Sequence, residues 1–97
     1  MAEVRWTQQA ADDLEAITEF IALDSPHYAS LFVSDIFQTL ERIETFPDCG
    51  RVVPETNDVS LREIIMGSYR LVYRIQSDVA EILTVYHCAR LFDPSLL

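Results

Sequence analysis

Five residues in the second half of the chain, Glu63, Arg70, Tyr86, His87 and Arg90, are of the types that acid–base work on a phosphodiester requires. A carboxylate or imidazole takes the proton of an attacking hydroxyl, and a phenol or imidazole returns one to a leaving oxygen. Guanidinium groups stabilise the charge that develops between these steps. Arg74 adds a cation four residues after Arg70. A structural use competes with this chemistry. Arg70 and Arg74 stand among Leu71, Val72, Tyr73 and Ile75 in "SYRLVYRIQSDVAEI", and cross-strand ion pairs contribute roughly 0.2–1 kcal/mol each. The elements that hold these side chains decide between the two uses.

The pattern predicts an α+β fold, with a two-helix hairpin packed on one face of a mainly antiparallel sheet. In "EVRW", residues 3–6, Val4 and Trp6 share one face of a short N-terminal strand. Thr7 is an N-cap, and Ala10, Leu14, Ile17 and Ile21 follow at helical spacing. Ser25 and Pro26 start a second helix. Its stripe is Ala29, Phe32 or Val33, Ile36, Leu40 and Ile43, and it stops near Phe46-Pro47. So short a connection makes the helices antiparallel. A loop from Pro47 to Ser60 follows, with a short extended piece at Arg51-Val52-Val53. "LREIIM" (61–66), "YRLVYRIQ" (69–76) and "VAEILTVYHC" (79–88) then form a three-strand meander through two-residue turns at Gly67-Ser68 and Ser77-Asp78.

Two-residue turns fix the register. Gln76 faces Val79, Ile75 faces Ala80, Arg74 faces Glu81, Val72 faces Leu83 and Arg70 faces Val85. Across the other turn, Ile65 faces Arg70 and Glu63 faces Val72. Ile64, Met66, Leu71, Tyr73, Ile75, Ile82 and Tyr86 then meet the helices. Glu63, Arg70, Val72, Arg74, Glu81, Leu83, Val85 and His87 fall on the opposite face. There Arg74 pairs with Glu81, and Val72, Leu83 and Val85 make an apolar strip edged by arginines. A strip of that kind suits another protein chain better than water.

The composition narrows the function classes. The 97 residues, taken as one domain over 1–97, are 49% hydrophobic with a mean hydropathy of +0.11, enough for a core; disorder is expected only in the last few residues. The net charge is −9, from 16 acids against seven arginines and no lysine. Direct nucleic-acid binding by the chain alone is therefore disfavoured, because phosphate contacts need clustered cations. No apolar run reaches the ~20 residues of a membrane span, and the N-terminus lacks signal-peptide character. The expectation is a cytoplasmic protein without membrane contact. Cys49 and Cys88 read as free thiols, and neither they nor His27 have metal-ligand spacing. No metal or cofactor is expected.

Taken in order, "VRWTQQAADDLEAI", "DSPHYASLFVSDI", "FPDCGRVVPE", "LREIIMGSYRLVYRI" and "ILTVYHCAR" resemble the RelE/ParE superfamily of type II toxins, and its ParE-like branch in particular. The resemblance spans roughly residues 3 to 90. It implies a toxin neutralised by a cognate antitoxin, whose carboxy-terminal segment wraps it in a hetero-oligomer. It also implies action by protein binding, with DNA gyrase as the target. On that view Arg70, Val72, Arg74, Leu83, Val85, His87 and Arg90 form the partner-binding set. The alternative is a ribosome-dependent mRNA endoribonuclease of RelE type using Glu63, Arg70, His87 and Arg90, or a degenerate non-toxic homologue that only forms the antitoxin complex. The absence of lysine removes one standard component of the ribonuclease site.

Each candidate also has a plainer role. His87 suits a locally hydrogen-bonded strand end, and His27 a solvated first helical turn. Arg51 is placed to brace the long loop through a carboxylate such as Glu55. Arg62, on the helix side with Tyr73, would need an acidic partner if half-buried. Arg90 is either free or caps the sheet edge. Tyr69, Tyr73 and Trp6 read as core.

Overall fold

In the computed structural model of the protein, residues 1–90 are described; the expectation for the last few residues lies outside that range. Strand β1 (Glu3–Trp6) leads into helices α1 (Gln8–Asp24) and α2 (Pro26–Thr45). The chain continues through β2 (Arg51–Val52), β3 (Leu61–Met66), β4 (Tyr69–Gln76) and β5 (Val79–His87). The strands form one sheet in the order β1-β5-β4-β3-β2. All pairs are antiparallel except β1–β5. This is the expected helical hairpin on a mainly antiparallel sheet, with β2 as a two-residue edge.

Local chemistry accounts for the element boundaries. The Thr7 hydroxyl accepts from the Ala10 amide at 3.1 Å, satisfying a free donor of the first turn of α1. Ser25 serves both helices. Its amide donates to Ile21 O at 2.8 Å, and its hydroxyl accepts from the Tyr28 amide at 3.2 Å. With Pro26 at the first position of α2, the connection is one residue long. At each two-residue strand turn the first residue takes a positive φ, 59° at Gly67 and 54° at Ser77.

The main core lies between the hairpin and the sheet. Ala10, Phe32, Ile36 and Ile43 meet Ile64, Leu71, Tyr73 and Ile82 there, with Leu14, Ile17, Ile21 and Leu40 packed around them. Between Phe32 and Val33, it is Phe32 that is buried. Among the described residues no helix is long and apolar enough to cross a membrane.

The meander register holds from Gln76↔Val79 to Arg74↔Glu81 and throughout β3–β4. It then slips. Tyr73 pairs with Ile82 but Val72 pairs with Thr84, so Leu83 is an extra residue in β5. Val72 therefore does not face Leu83, and Arg70 faces Tyr86 instead of Val85. One inserted residue exchanges the faces of everything after it. Val85 joins the helix-side core and Tyr86 crosses to the opposite face, reversing both expectations.

The cause is non-local. Strand β1 ends at Trp6, opposite Ile82, so β5 loses its strand partner there. The Thr7 hydroxyl lies 2.9 Å from Ile82 O and 3.1 Å from Leu83 O. Asp13 of α1 accepts from Thr84 Oγ1 at 2.6 Å and from the Val85 amide at 3.1 Å. The helix thus takes over the edge hydrogen bonds and holds the bulge.

Candidate functional site

The sheet face away from the helices carries a small cluster of charged side chains, because β3, β4 and β5 each aim alternate residues at it. Glu63 comes from β3, Arg70 from β4 and Tyr86 from β5. The Arg70 guanidinium places Nε 3.0 Å from Glu63 Oε2 and Nη1 3.2 Å from Glu55 Oε2. Nη1 also donates to the Tyr86 hydroxyl at 2.9 Å, and the group lies 5.4 Å from the centre of that ring. Arg51 approaches Glu63 from the sheet edge, with Nε 3.4 Å from Oε1.

Glu63 has no exposed side-chain surface, yet among the described residues neither of its oxygens receives an aligned hydrogen bond, nor does Arg70 Nε find an aligned acceptor. The two side chains are close enough for ionic attraction, but the N–H does not point along the contact. The pairing is therefore electrostatic, and charge neutrality at Glu63 depends on both arginines. At Arg70 burial works against the charged form, but Glu55, Glu63 and Tyr86 outweigh it and hold the guanidinium above its ordinary pKa. Burial pushes the Tyr86 phenol up, opposed by Arg70.

A loop of residues 53–60 closes over this cluster. Val53 is fully buried against Leu61, Val72, Leu83 and Tyr86. Glu55 reaches Arg70, and Asp58 Oδ2 lies 3.5 Å from Arg74 Nη1. The loop is knit internally. Asp58 accepts from Ser60 Oγ at 2.6 Å and from its amide at 2.9 Å, and Ser60 and Arg74 hold the Asp58 carboxyl below the usual range.

The anticipated exposed strip is therefore closed. Val72 is fully buried and Leu83 is 7% exposed, both beneath the chain's own loop. Val85 has left for the other face. Arg74 sits across from Glu81 as expected, but its ion pair is with Asp58.

The ribonuclease set is divided by the sheet. Glu63 and Arg70 are together, whereas His87 lies beside Tyr69, ring edge to ring face at 5.3 Å. Tyr69 in turn packs on Phe32 of α2 at 5.1 Å. His87 Nδ1 accepts from the Ala89 amide at 3.0 Å, a local strand-end bond. Arg90 follows in the turn and lines a groove with Asp13, Ile17, Phe20, Tyr86 and His87. His87 and Arg90 are both exposed.

Two further expectations change. Among the described residues Arg62 pairs with no acid; it donates to the carbonyls of Val59, Asp48 and Gly50 at 2.8, 3.1 and 3.1 Å. Arg51 contacts Glu63, and it is Arg70 that takes Glu55. The loop entry is anchored by Tyr73, whose hydroxyl donates to Pro47 O at 2.7 Å and accepts from the Gly50 amide at 2.9 Å. Burial pushes this phenol up to about 12. A Cβ on Gly50 would stand 2.7 Å from the Tyr73 hydroxyl and 2.8 Å from Glu63 O, so only glycine fits. Sequence reasoning missed Val53 and Glu55 as parts of the site. The available signal was an apolar residue followed two places later by an acid, inside an otherwise polar loop.

Comparison with known proteins agrees with this architecture. Residues 4–92 match the family described as ParE toxin of the type II toxin–antitoxin system parDE. Toxin RelE2 of Caulobacter vibrioides is 30% identical over 92 residues, covering 94% of this chain and all of that one. The fold is shared with a chromosomal ParDE toxin–antitoxin system from P. aeruginosa, with TM-score 0.71, 23% identity, and 90% and 96% of the two chains covered. It is shared also with the RelBE2 toxin–antitoxin complex of Mycobacterium tuberculosis, with TM-score 0.58, 27% identity, and 89% and 96% covered. With its helical hairpin over a five-stranded sheet and a family match across nearly its whole length, the chain belongs to the ParE toxin family of type II toxin–antitoxin systems.

Proposed function

We propose that the protein is a cytoplasmic toxin that acts by binding a protein target, DNA gyrase, and is silenced by a cognate antitoxin. The observation that carries this reading is the state of Arg70. It is the cation that stands beside Glu63 in the ribonuclease set, and it is already held by two carboxylates, Glu55 and Glu63, at the 53–60 loop. A phosphodiester would have to displace Glu55 and then sit beside the Glu63 charge, so electrostatic stabilisation of a transition state there is weak. The placement of His87 against Tyr69, on the other side of the sheet from Glu63 and Arg70, supports the same reading. The solved relatives from P. aeruginosa and M. tuberculosis are toxin–antitoxin systems, which supports an antitoxin partner here.

The partner-binding set is revised accordingly. His87 and Arg90 are open to a partner as they stand. Arg70 and Arg74 are reached at their rims, and Val72 and Leu83 only if the loop lifts. The test is purified gyrase supercoiling measured beside translation and mRNA integrity after the chain is expressed without its antitoxin. Inhibited supercoiling and an SOS response with intact mRNA are expected. Cleaved mRNA with unimpaired gyrase would replace this reading with the endoribonuclease, and the absence of any growth defect would indicate the degenerate form.

A further inference from the structure

The chain's negative charge is unevenly placed. Residues 8–45, the helical hairpin, contain eight carboxylates and one cation, Arg42. Seven of the nine net negative charges therefore belong to the hairpin. Large apolar side chains are exposed on the same element. Phe20 is 67% exposed, Leu23 88% and Tyr28 64%, although α1 already supplies Ala10, Leu14, Ile17 and Ile21 to the core. Ala16, Phe20 and Leu23 recur at helical spacing, so they form a second stripe about 10 Å long on a different side of α1.

At the hairpin tip Phe20, Leu23 and Tyr28 border a groove that also includes Asp24 and Ser25. Glu19 lies beside the stripe. Asp24 stands in the last turn of α1, where the helix dipole disfavours a carboxylate, and that turn carries no basic residue. The free chain thus holds an uncompensated negative charge next to an apolar ridge.

We infer that the tip of the helical hairpin docks a basic amphipathic helix of a partner protein, its apolar face against Phe20, Leu23 and Tyr28 and its Lys or Arg side chains towards Glu19 and Asp24. The charge selects the occupant. The hairpin of a second copy of this chain, an anionic membrane and a nucleic acid would each bring negative charge to carboxylates, and the sheet face of a second copy offers cations without an open apolar strip. Only a cationic apolar surface gains on both counts. The small Ala16 lets a helix approach closely, and the stripe supplies a ridge for its groove. This goes beyond the reading above, whose open residues, His87 and Arg90, line a neighbouring groove on the other flank of Phe20. The tip surface is instead bounded by Glu19 and Asp24 and calls for a segment of the opposite sign.

The test uses the full chain and three synthetic helical peptides, with binding followed by fluorescence anisotropy at low and high salt. One peptide carries leucines on one face and lysines on its flanks. The second has glutamate for every lysine, and the third is a scramble of the first without an apolar face. The lysine peptide is expected to bind at least about tenfold more tightly than either control, with affinity falling as salt rises. Phe20→Ser with Leu23→Ser should weaken it by about tenfold or more at unchanged charge and unchanged Tm, since both residues lie outside the core. Equal binding of the scramble, or full affinity of the double variant, would overturn the inference by reducing the effect to net charge. So would a concentration-dependent dimer abolished by the double variant, since the occupant would then be a second copy.

Discussion

Replacing Arg70 by alanine leaves the Glu63 carboxylate inside the protein without its nearest counter-charge. Glu63 has no exposed side-chain surface, and its contacts are Arg70 at 3.0 Å and Arg51 at 3.4 Å. Removing one partner of a buried pair costs about 3–5 kcal/mol, because the remaining charge stays desolvated. Arg51 remains in place, which puts Arg70→Ala near the lower figure. For a domain of this size 1 kcal/mol is worth about 4–8 °C, so Tm should fall by about 12–24 °C. Glu63→Gln removes the stranded charge. The Glu63→Gln, Arg70→Ala double variant should therefore recover much of the loss, with a coupling of about 2 kcal/mol in a double-mutant cycle. Urea unfolding followed by far-UV circular dichroism at pH 7 measures all four proteins. A cost for Arg70→Ala below about 1 kcal/mol, the range of exposed pairs, together with strictly additive variants, would refute the reasoning. It would mean that water reaches Glu63 under the loop. Arg70 is for the same reason a poor probe of partner binding, and Arg90→Ala, at an exposed position outside the cluster, is the cleaner one.

Two further outcomes follow from the anchors of the site. Tyr73 has its folded-state pKa raised from 10.0 to about 12 by burial. A raised pKa contributes stability that is complete below the unfolded value and lost as pH climbs through the folded one. Stability on the order of 2 kcal/mol should therefore disappear between pH 10.0 and about 12. Ultraviolet absorbance of tyrosinate recorded during alkaline unfolding checks this, and Tyr73→Phe should lose that dependence. Asp13→Ala removes the acceptor for Thr84 and the Val85 amide and should cost about 1–3 kcal/mol. Hydrogen exchange at the Val85 amide should accelerate accordingly, and unchanged protection would show that the bulge holds itself.

Much of the molecule was legible without coordinates because it is set by neighbours in the chain. The Thr7 and Ser25 caps, the two helix stripes and both strand turns depend on residues three or four apart, or on a pair of turn positions. These alone fixed the pairing of Arg74 with Glu81 and of Glu63 with Val72. The site was less legible because its defining features join distant segments. Asp13 reaches Val85 across 72 positions, and that contact decides that Tyr86, not Val85, stands beside Arg70. No period of two along β5 can announce a residue inserted to meet a helix carboxylate. Equally, nothing near Val53 and Glu55 states that a polar loop will fold onto a sheet face 15 or more residues ahead. Sequence alone determined which side chains alternate and where each element starts. Tertiary packing decided which face each late β5 residue took and whether the apolar strip met water, since burial and edge pairing are properties of the assembled chain.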